Sequence, residues 1–443
     1  MNEWTWAIDG WIIAVSALAA VACAIPGSFL VVRNTSMLAD AISHAVLPGI
    51  AVGFLFSGTR DPLWMFIGAA AAGLLVALLS RALARVGRMD SGAALGIVFT
   101  TMFAIGLILI VQVADKVDLD PSCVLYGSVE LSPLDSVSIS GWLIPRAALV
   151  LGGVCLANII AATLLWKSML VTAFDPALAL TLGQRPRLIE TIVLGMAAAT
   201  CVAAFESVGS ILVVAMMIVP AATARLWSER LAGVMVGAAM TGVAASILGH
   251  WVAASGAPLV LAGGRDASTA GSVAATLGVL YAGSLLFAPG RGVLRRLEER
   301  WRLALRIARE DAIGLLWRLE EDGRAVGRGE LHELLVSGAE VRPWISRVAI
   351  NSLGRDRIVA TETGSMRLTE DGRRAGAALV RSHRLWEIYL MRKMALAPDH
   401  VHPTAMKLEH ITDAAMRDQL AKEGDGDAGA QGRLSDPHGR AVP

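Results

Sequence analysis

Two patterns of apolar and polar residues follow one another along this chain. Up to about residue 290 long apolar runs alternate with short polar segments, whereas beyond it apolar residues recur among charged ones at helical spacing. A helix needs about 20 apolar residues to cross a bilayer core of ~30 Å, and lipid requires its backbone to be internally hydrogen-bonded. The first pattern therefore predicts membrane-spanning helices. The nine runs lie near residues 11–32, 36–57, 62–80, 92–114, 147–166, 188–205, 208–224, 231–254 and 268–289.

The Lys and Arg residues between these runs predict the orientation of the helices. Loops that follow the odd-numbered runs carry nine of them, and loops that follow the even-numbered runs carry four. Since cytoplasmic loops are enriched in positive residues, we expect the N-terminus outside the cell and the segment after the ninth run inside it. The long, acidic loop 115–146 is then expected outside.

Charge is divided unequally between the two parts of the chain. Residues 1–290 contain 13 Lys/Arg and 15 Asp/Glu, whereas residues 291–443 contain 26 and 23, so the net charge of +1 is the sum of −2 and +3. The composition excludes a disordered protein, a disulfide scaffold and a generally basic nucleic-acid binder. We expect a transmembrane domain, a basic linker helix, a winged helix-turn-helix-like domain and a metal-binding, dimerisation-like domain. Their predicted limits are 1–290, 291–307, 308–370 and 371–443.

One pair of polar residues lies inside the second run. Asp40 and His44 are four positions apart, so they project from the same face of a helix. Charged groups are costly inside a membrane, which makes this pair a candidate functional site. At ~1.5 Å per residue from Arg33, His44 would lie roughly 16 Å into the bilayer, near its midplane. The pair could bind a divalent cation, with two copies in a dimer supplying four ligands; alternatively, an intrahelical hydrogen bond merely neutralises both side chains.

Two further polar residues lie at the ends of runs. Glu206, between the sixth and seventh runs, could be an accessory ligand that faces outside, or it could lie at the tip of a hydrated hairpin. His250 ends the eighth run, where a histidine at the membrane interface is the simpler interpretation.

A short helix is predicted in the loop between the fifth and sixth runs. Asp175 suits its N-cap, Pro176 its first turn and Gly183 its C-cap, with Ala179 between them. Such a capped helix between two spans could dock a cytoplasmic partner, or it could be a simple interfacial turn.

The stretch Arg33–Ala51, RNTSMLADAISHAVLPGIA, resembles the signature of metal-ion ABC transporter permeases, the zinc, manganese and iron group. The stretch Val208–Ala224 resembles the second signature of that family, and the resemblance extends over about residues 10–290. In this family the Asp40/His44 pair corresponds to the polar pair of the translocation path.

The same resemblance implies the partners. It implies a second permease subunit, identical or different, a separate ATP-binding subunit docked at the 175–183 helix, and an extracytoplasmic metal-binding protein. The sequence contains no Walker A loop with its glycines and Lys-Ser/Thr. ATP hydrolysis is therefore expected on the separate subunit, and this chain is expected not to be an enzyme.

The second part of the chain predicts a winged helix-turn-helix and two longer helices. Arginines along 291–307 indicate a basic helix that could lie against anionic lipid. A strand–turn–strand over 357–368 completes the winged outline. The expected helices cover 308–322, 329–337, 342–353, 371–395 and 402–422.

Six of the eight histidines lie in this second part, several of them at helical spacing from carboxylates. His383 and Glu387 are four positions apart on one predicted helix. Nitrogen, carboxylate and thioether donors suit a first-row transition metal, whereas a solvated charged face would contain Lys and Arg rather than histidine. The residues that would share one face of the next helix are His402, Met406, Glu409 and His410.

The segments Ser382–Glu387 and Val401–His410 resemble the diphtheria-toxin-repressor and manganese-repressor family, and the resemblance covers about residues 308–443. Met406 stands where that family has Cys or Glu, and Gly314 where its manganese-type members have a second carboxylate. His383 joins the main site in the manganese type. The resemblance implies one metal site of Asp311, Met406, Glu409 and His410, and a neighbouring site of His383, Glu387 and His402.

These features together predict an all-α polytopic protein of the cell (inner) membrane, joined to a cytoplasmic, mainly α winged-helix and dimerisation-helix domain. The predicted function is the permease of an ATP-driven importer of divalent transition-metal ions. Oxygen and nitrogen ligands without thiolates favour manganese or iron over zinc. The same metal would act on the C-terminal domain as a regulator.

Two other functions fit parts of the sequence. A membrane-tethered, metal-dependent transcription regulator would use the winged helix, but Pro343, Trp344 and Asp356 are unfavourable near the DNA-contacting position, so DNA is not an expected partner. An ion channel or secondary carrier would work without an ATP-binding subunit.

Overall fold

The computed structural model describes residues 5–58, 62–114, 129–139, 142–256, 268–362, 364–425 and 442–443. The chain forms two compact units, Met1–Arg295 and Arg296–Pro443, close to the change of pattern expected at residue 290. Residues 115–128 and 140–141, half of the acidic loop expected over 115–146, lie outside the described residues.

The first unit is built from helices. Within the described residues, nine of them are long and apolar enough to cross a membrane, which confirms the nine predicted runs. They are α1 (Trp6–Val32), α2 (Met37–Ser57), α3 (Pro62–Val86), α4 (Ser91–Ala114), α5 (Arg146–Leu164), α8 (Pro186–Val208), α9 (Ser210–Trp227), α10 (Leu231–Trp251) and α11 (Thr269–Phe287). Two short helices, α6 (Trp166–Phe174) and α7 (Pro176–Thr181), connect α5 to α8.

Three connections between helices in this unit have structures that the sequence pattern did not predict. A single residue, Gly209, joins α8 to α9 at φ 81° and ψ 162°, a conformation that L side chains rarely adopt. The part of the predicted loop that the structure describes contains an antiparallel hairpin, β1 (Ser136–Ile139) with β2 (Trp142–Pro145). A π-helical turn, Val252–Gly256, follows α10.

Small residues allow the helices of this unit to approach closely. A Cβ at Gly49 of α2 would overlap the backbone of Gly68 and Ala69 in α3. A Cβ at Gly27 of α1 would overlap the carbonyl oxygen of Met217 in α9. Close contact through small residues is how membrane helices gain packing energy without a hydrophobic driving force. Helix α2 is therefore held tightly against α3.

The second unit contains a winged helix followed by a helical segment. Its elements are α12 (Val293–Glu321), β3 (Val326–Gly327), α13 (Arg328–Gly338), α14 (Pro343–Arg355), β4 (Val359–Glu362), β5 (Ser365–Leu368), α15 (Glu370–Lys393), α16 (Pro398–Leu408) and α17 (Ala414–Asp425). The sheet has the order β3-β5-β4, and β4 pairs with β5 in antiparallel register, Val359 opposite Leu368. Its apolar core includes Leu316, Leu331 and Leu353.

The sequence pattern misplaced two helix boundaries here. The basic segment and the helix expected at 308–322 form one continuous helix, α12, because strong helix formers fill it and pairs such as Arg306–Glu310 (2.9 Å) support its surface. The single helix expected over 402–422 is broken instead. A 3₁₀ turn, Glu409–Ile411, ends the first part, and Asp413 caps the second by accepting a hydrogen bond from the Met416 amide (2.8 Å).

Candidate metal sites and partner contacts

The polar pair in the second span lies near the start of α2. His44 Nε2 is 3.5 Å from Asp40 Oδ1, and Ser43 Oγ donates a hydrogen bond to the carbonyl oxygen of Asp40 (2.7 Å). The Asp40 side chain is 49% exposed and that of His44 is 29% exposed. The 3.5 Å separation is longer than a strong hydrogen bond. Both side chains therefore keep accessible donor atoms.

The chain between α1 and α2 changes the expected depth of this pair. Residues 33–36 are not helical, so His44 lies seven residues into α2, about 10 Å from its first residue rather than 16 Å. The helical rise that precedes His44 is therefore shorter than expected, and its position near the midplane stays a prediction. Aromatic rings of α4 line one side of the histidine, with ring centroids 5.1 Å away at Phe99 and 5.6 Å at Phe103.

Glu206 lies at the other end of the bundle from the start of α2. Ile42 packs level with Ala198, since both would contact a Cβ at Gly73. Glu206 is eight residues beyond Ala198 on α8, about 12 Å further along the helix. Together with Asp135, it lines a cavity of about 270 Å³. The structure thus does not bring Glu206 beside the Asp40/His44 pair.

His250 is a buried and paired residue in the last turn of α10. Its side chain is 5% exposed, and its Nε2 lies 3.0 Å from Asp9 Oδ1 on α1. Its Nδ1 lies 3.4 Å from Thr269 Oγ1 on α11, and the Thr269 amide donates to Glu130 Oε1 (2.6 Å). Protein therefore encloses this side chain, and its expected position at the membrane interface stays a prediction. Sequence analysis missed Asp9, although a carboxylate in the first turn of a span is a visible signal.

The short helix between the spans has the predicted caps. Asp175 Oδ1 accepts hydrogen bonds from the amides of Ala177 (3.0 Å) and Leu178 (2.9 Å), and Pro176 occupies the first turn. At the other end Gly183 has φ 73°, and the backbone hydrogen bonds form a Schellman motif. Ala179 is buried, while a set of apolar side chains is exposed. These are Phe174, Leu178, Leu180 and Leu182.

In the second unit, two groups of side chains place possible metal ligands together. In each group one donor atom per residue lies within 4.8 Å of the others. The first group is Asp311, Glu409 and His410, and the second is His383, Glu387 and His402. These are the predicted ligands except Met406, which is half-buried. Helices α12, α15 and α16 and the 3₁₀ turn supply them.

The second group has short distances throughout. His383 Nε2 lies 3.0 Å from Glu387 Oε1 and 3.0 Å from His402 Nδ1, and the latter lies 2.9 Å from the same carboxylate oxygen. His383 and Glu387 are almost fully buried, whereas the His402 side chain is 48% exposed. A half-exposed ligand gives an ion a route from solvent to two buried ligands.

Two residues beside the first group were missed by sequence analysis. His410 Nε2 lies 3.2 Å from Asp311 Oδ1, and its Nδ1 lies 2.8 Å from Glu310 Oε2. Arg318 Nη2 lies 3.7 Å from Glu409 Oε2. Glu310 and Arg318 project from α12 one residue before and seven after Asp311, a spacing that places Arg318 and Asp311 on one helix face.

Buried polar atoms in these groups support a fit to metal. His383 Nδ1, Glu409 Oε2 and Arg318 Nη2 have no hydrogen-bond partner among the described residues. The first two atoms lie 2.6 Å apart, yet they are not aligned as a hydrogen bond. Buried polar groups without partners are rare and costly. A set of nitrogen and oxygen donors facing one another suits a first-row divalent ion.

Charged neighbours determine the protonation of these side chains when no ion is bound. Burial favours neutral imidazole at His410, but Asp311 and Glu310 outweigh it and raise the pKa to about 9. Burial likewise opposes ionisation of Glu387, yet hydrogen bonds from His383 and His402 lower its pKa to about 2. The raised pKa values of His383 and His410 thus favour protonated imidazoles, which hold the neighbouring carboxylates together where an ion would bind.

Comparisons with known proteins agree with this division of the chain. Residues 10–288 match the model of the ABC 3 transport family, and residues 369–425 match that of the iron dependent repressor, metal binding and dimerisation domain. The chain is 41% identical over 289 residues to the manganese transport system membrane protein MntD of Bacillus subtilis (strain 168). That alignment covers 65% of this chain and 95% of the relative.

A second relative and a solved structure match the same part. The zinc transport system membrane protein TroD of Treponema pallidum (strain Nichols) is 39% identical over 285 residues, covering 64% of this chain and 75% of the relative. The structure of PsaBC from Streptococcus pneumoniae in complex with Fab matches with a TM-score of 0.53 and 28% identity, covering 65% of this chain and 94% of that chain. With nine helices able to span a membrane in the described residues, this chain is a multi-pass membrane permease that belongs to the ABC 3 transport family and carries an iron-dependent-repressor-like domain after it.

Proposed function

We propose that this chain is the permease subunit of an ATP-driven importer of a divalent transition-metal ion, with manganese as the first candidate and iron or zinc as the others. The Asp40/His44 pair carries this proposal. An oxygen and a nitrogen donor, separated by 3.5 Å and partly exposed, project from one face of a membrane helix. Relatives named for manganese and for zinc transport support a metal substrate.

A second permease subunit completes the proposed path. One pair supplies two donors, whereas first-row divalent ions take four or more ligands. A second copy that faces α2 across a dimer interface would supply another Asp and His. The ion would bind between the two pairs and leave as the dimer changes its accessible side.

The segment Asp175–Gly183 is the proposed docking site for a separate ATP-binding subunit. Its helix α7 is rigidly capped, and the exposed side chains of Leu178, Leu180 and Leu182 give an apolar surface next to buried Ala179. The positive loops on this side of the bundle support a cytoplasmic position for it, because cytoplasmic loops are enriched in Lys and Arg. Glu206 and its cavity then face outside, where an extracytoplasmic metal-binding protein would deliver the ion.

The C-terminal domain is proposed to be a cytoplasmic metal sensor that regulates transport. Its sites would use Asp311, Glu409 and His410, with Met406 as a further ligand, and His383, Glu387 and His402. DNA is not a proposed partner. Trp344 begins the DNA-contacting helix of such folds but here packs against Trp301 of α12, with ring centroids 4.0 Å apart. Removing residues 300–443 should leave uptake intact and abolish its inhibition by excess metal; retained inhibition would contradict the sensor role.

Uptake measurements test the transport function directly. Proteoliposomes that contain the permease and its ATP-binding subunit should accumulate Mn²⁺ with ATP and not without it, and Fe²⁺ and Zn²⁺ should be compared as competitors. Asp40→Asn should lower uptake by about a hundredfold, because altering a residue of a metal site typically reduces affinity or activity by about 10–100-fold. Asp90→Asn is the matched control, because Asp90 is exposed and only caps α4, a task that Asn also performs. Equal uptake by Asp40→Asn and the control would exclude the proposed path.

A further inference from the structure

Glu190 joins three helices through the two oxygens of its carboxylate. Arg33 Nη2 lies 2.6 Å from Oε1, and Arg81 Nη1 lies 3.2 Å from Oε2. Glu190 is in the second turn of α8, Arg33 is the C-cap of α1, and Arg81 is near the end of α3. The three side chains are 15%, 19% and 30% exposed, so these ion pairs are shielded from solvent far more than surface pairs.

Arg33 also binds the segment that precedes the proposed docking helix. Its Nη1 donates a hydrogen bond to the carbonyl oxygen of Thr172 in α6 (2.7 Å). Thr172 is buried and lies three residues before Asp175, the N-cap of α7. The same guanidinium group therefore contacts both α6 and α8, the helices on either side of the docking helix.

The other side of this cluster leads to the metal pair. Only residues 34–36 separate Arg33 from α2, and they are closed tightly: the Thr35 amide donates to the Leu30 carbonyl oxygen (2.8 Å), and Asn34 has φ 57°. Asp40 follows within one turn of α2. Arg81 lies on α3, whose backbone contacts α2 directly at Gly49. Both arginines are thus rigidly connected to the helix that carries the ligands.

We infer that Glu190 is a positioning residue that transmits movement of the docking segment α6–α7 to α2, and so couples ATP hydrolysis by the partner to release of the ion. Breaking one partner from a shielded ion pair leaves an uncompensated charge, so the three helices move together rather than separately. Glu190 forms ion pairs with both arginines at once, and a glutamine there would keep the shape and lose the charge. This inference rests on the proposed function.

The test compares transport with hydrolysis in the same proteoliposomes. We measure Mn²⁺ uptake and phosphate release for the permease assembled with its ATP-binding subunit, and we use the ratio of ions to ATP. Glu190→Gln should lower this ratio by about tenfold while hydrolysis stays within about twofold of the wild type. Glu190→Asp should restore part of the ratio, and Arg81→Gln should lower it less than Glu190→Gln.

Two further variants separate coupling from folding. Arg85→Gln is the matched control, because Arg85 is exposed one turn after Arg81 on the same helix. The double variant Glu190→Gln/Arg81→Gln should have a ratio of ions to ATP no lower than that of Glu190→Gln alone, since the two residues act through one contact. An unchanged ratio in Glu190→Gln, or a parallel fall of uptake and hydrolysis, would overturn the inference.

The outcomes also distinguish this inference from the proposed function. If the wild type shows no ATP-dependent uptake, the proposed function fails. If the wild type transports and the ratio stays constant across the variants, only the role of Glu190 fails. Should Glu190→Gln not assemble with its partner, Glu190→Asp and Arg81→Gln decide by the same ratio, and normal coupling in both would overturn the inference.

Discussion

His383 Nδ1 lies 2.6 Å from Glu409 Oε2, and this contact joins the two groups of possible metal ligands in the C-terminal unit. His383 belongs to one group and Glu409 to the other. Both side chains are about 4% exposed, so neither can turn towards solvent without opening the core. An ion in one group must therefore alter the position or protonation of the other.

Removing the shared carboxylate should weaken both sites. We expect Glu409→Gln to lower Mn²⁺ affinity at both sites by about 10–100-fold, the usual effect of altering a ligand or its support. Titration calorimetry of the full-length protein in detergent measures this change. Glu423→Gln, an exposed carboxylate on α17, is the control. If the variant weakens Mn²⁺ binding at only one of the two sites, the two groups of ligands are independent and the prediction is wrong.

Metal affinity should depend steeply on pH, and the direction follows from the raised pKa of His410. With a pKa of about 9 instead of 6.5, His410 holds a proton at neutral pH in the metal-free protein, and an ion must displace it. Affinity should therefore rise with pH until about pH 9, and binding at pH 7 should release protons. A pH indicator in weakly buffered solution detects this release. Proton-neutral binding at pH 7 would mean that His410 is not a ligand.

Stability of the metal-free protein should show the opposite trend. Since the pKa of His410 is raised, its contribution is complete below about 6.5 and disappears as the pH rises through about 9. The lowered pKa of Glu387 gives a contribution that is complete above about 4.5 and disappears as the pH falls through about 2. The midpoint temperature of thermal unfolding, followed by tryptophan fluorescence, should thus be highest between about pH 4.5 and 6.5. Added Mn²⁺ should move this optimum upwards.

Arg318 should limit metal affinity, because its positive charge lies beside the proposed ligand Glu409 and would repel a bound cation. Its Nη2 is 3.7 Å from Glu409 Oε2 and has no hydrogen-bond partner among the described residues. We expect Arg318→Gln to tighten Mn²⁺ binding by about tenfold, or ~1.4 kcal/mol. Arg324→Gln, whose exposed side chain pairs only weakly with Glu330 at 3.4 Å, should leave affinity unchanged. Weaker binding in Arg318→Gln would show instead that the arginine orients the carboxylate.

The pair His250–Asp9 should stabilise the membrane unit. His250→Ala leaves the Asp9 carboxylate, 18% exposed, without its partner at 3.0 Å. We expect a loss of about 1–3 kcal/mol in the free energy of unfolding, the cost of an unsatisfied buried group. The double variant Asp9→Asn/His250→Gln should be less destabilised than His250→Ala, because no charge is left unpaired. Unfolding in detergent measures all three, and equal stability of His250→Ala and wild type would contradict the pairing.

The sequence alone predicted what depends on neighbours in the chain. The nine spans follow from apolar runs, and Asp40 with His44, or His383 with Glu387, follow from a spacing of four on one helix. The caps Asp175 and Gly183 are equally local. These features need no knowledge of the tertiary structure.

Contacts between distant segments could not be predicted in this way. Arg33 meets Thr172 across 139 positions, His410 meets Glu310 across 100, and His250 meets Asp9 across 241. Such pairs depend on how helices pack, which the hydrophobic pattern does not specify. For the same reason the helical rise from Arg33 to His44 was overestimated, because residues 33–36 form a tight turn at Asn34 rather than a helix.

The one-residue connection at Gly209 has a mechanical consequence for α8. Two helices joined by a single residue cannot slide past or separate from one another at that end, so Gly209 serves as a fixed pivot. Helix α8 has 23 residues, about 34 Å in length, with Glu190 near the opposite end. A push at the Glu190 end therefore becomes a tilt, large beside the docking segment and small at Gly209. The two ends of the translocation path would then widen by unequal amounts in a single motion.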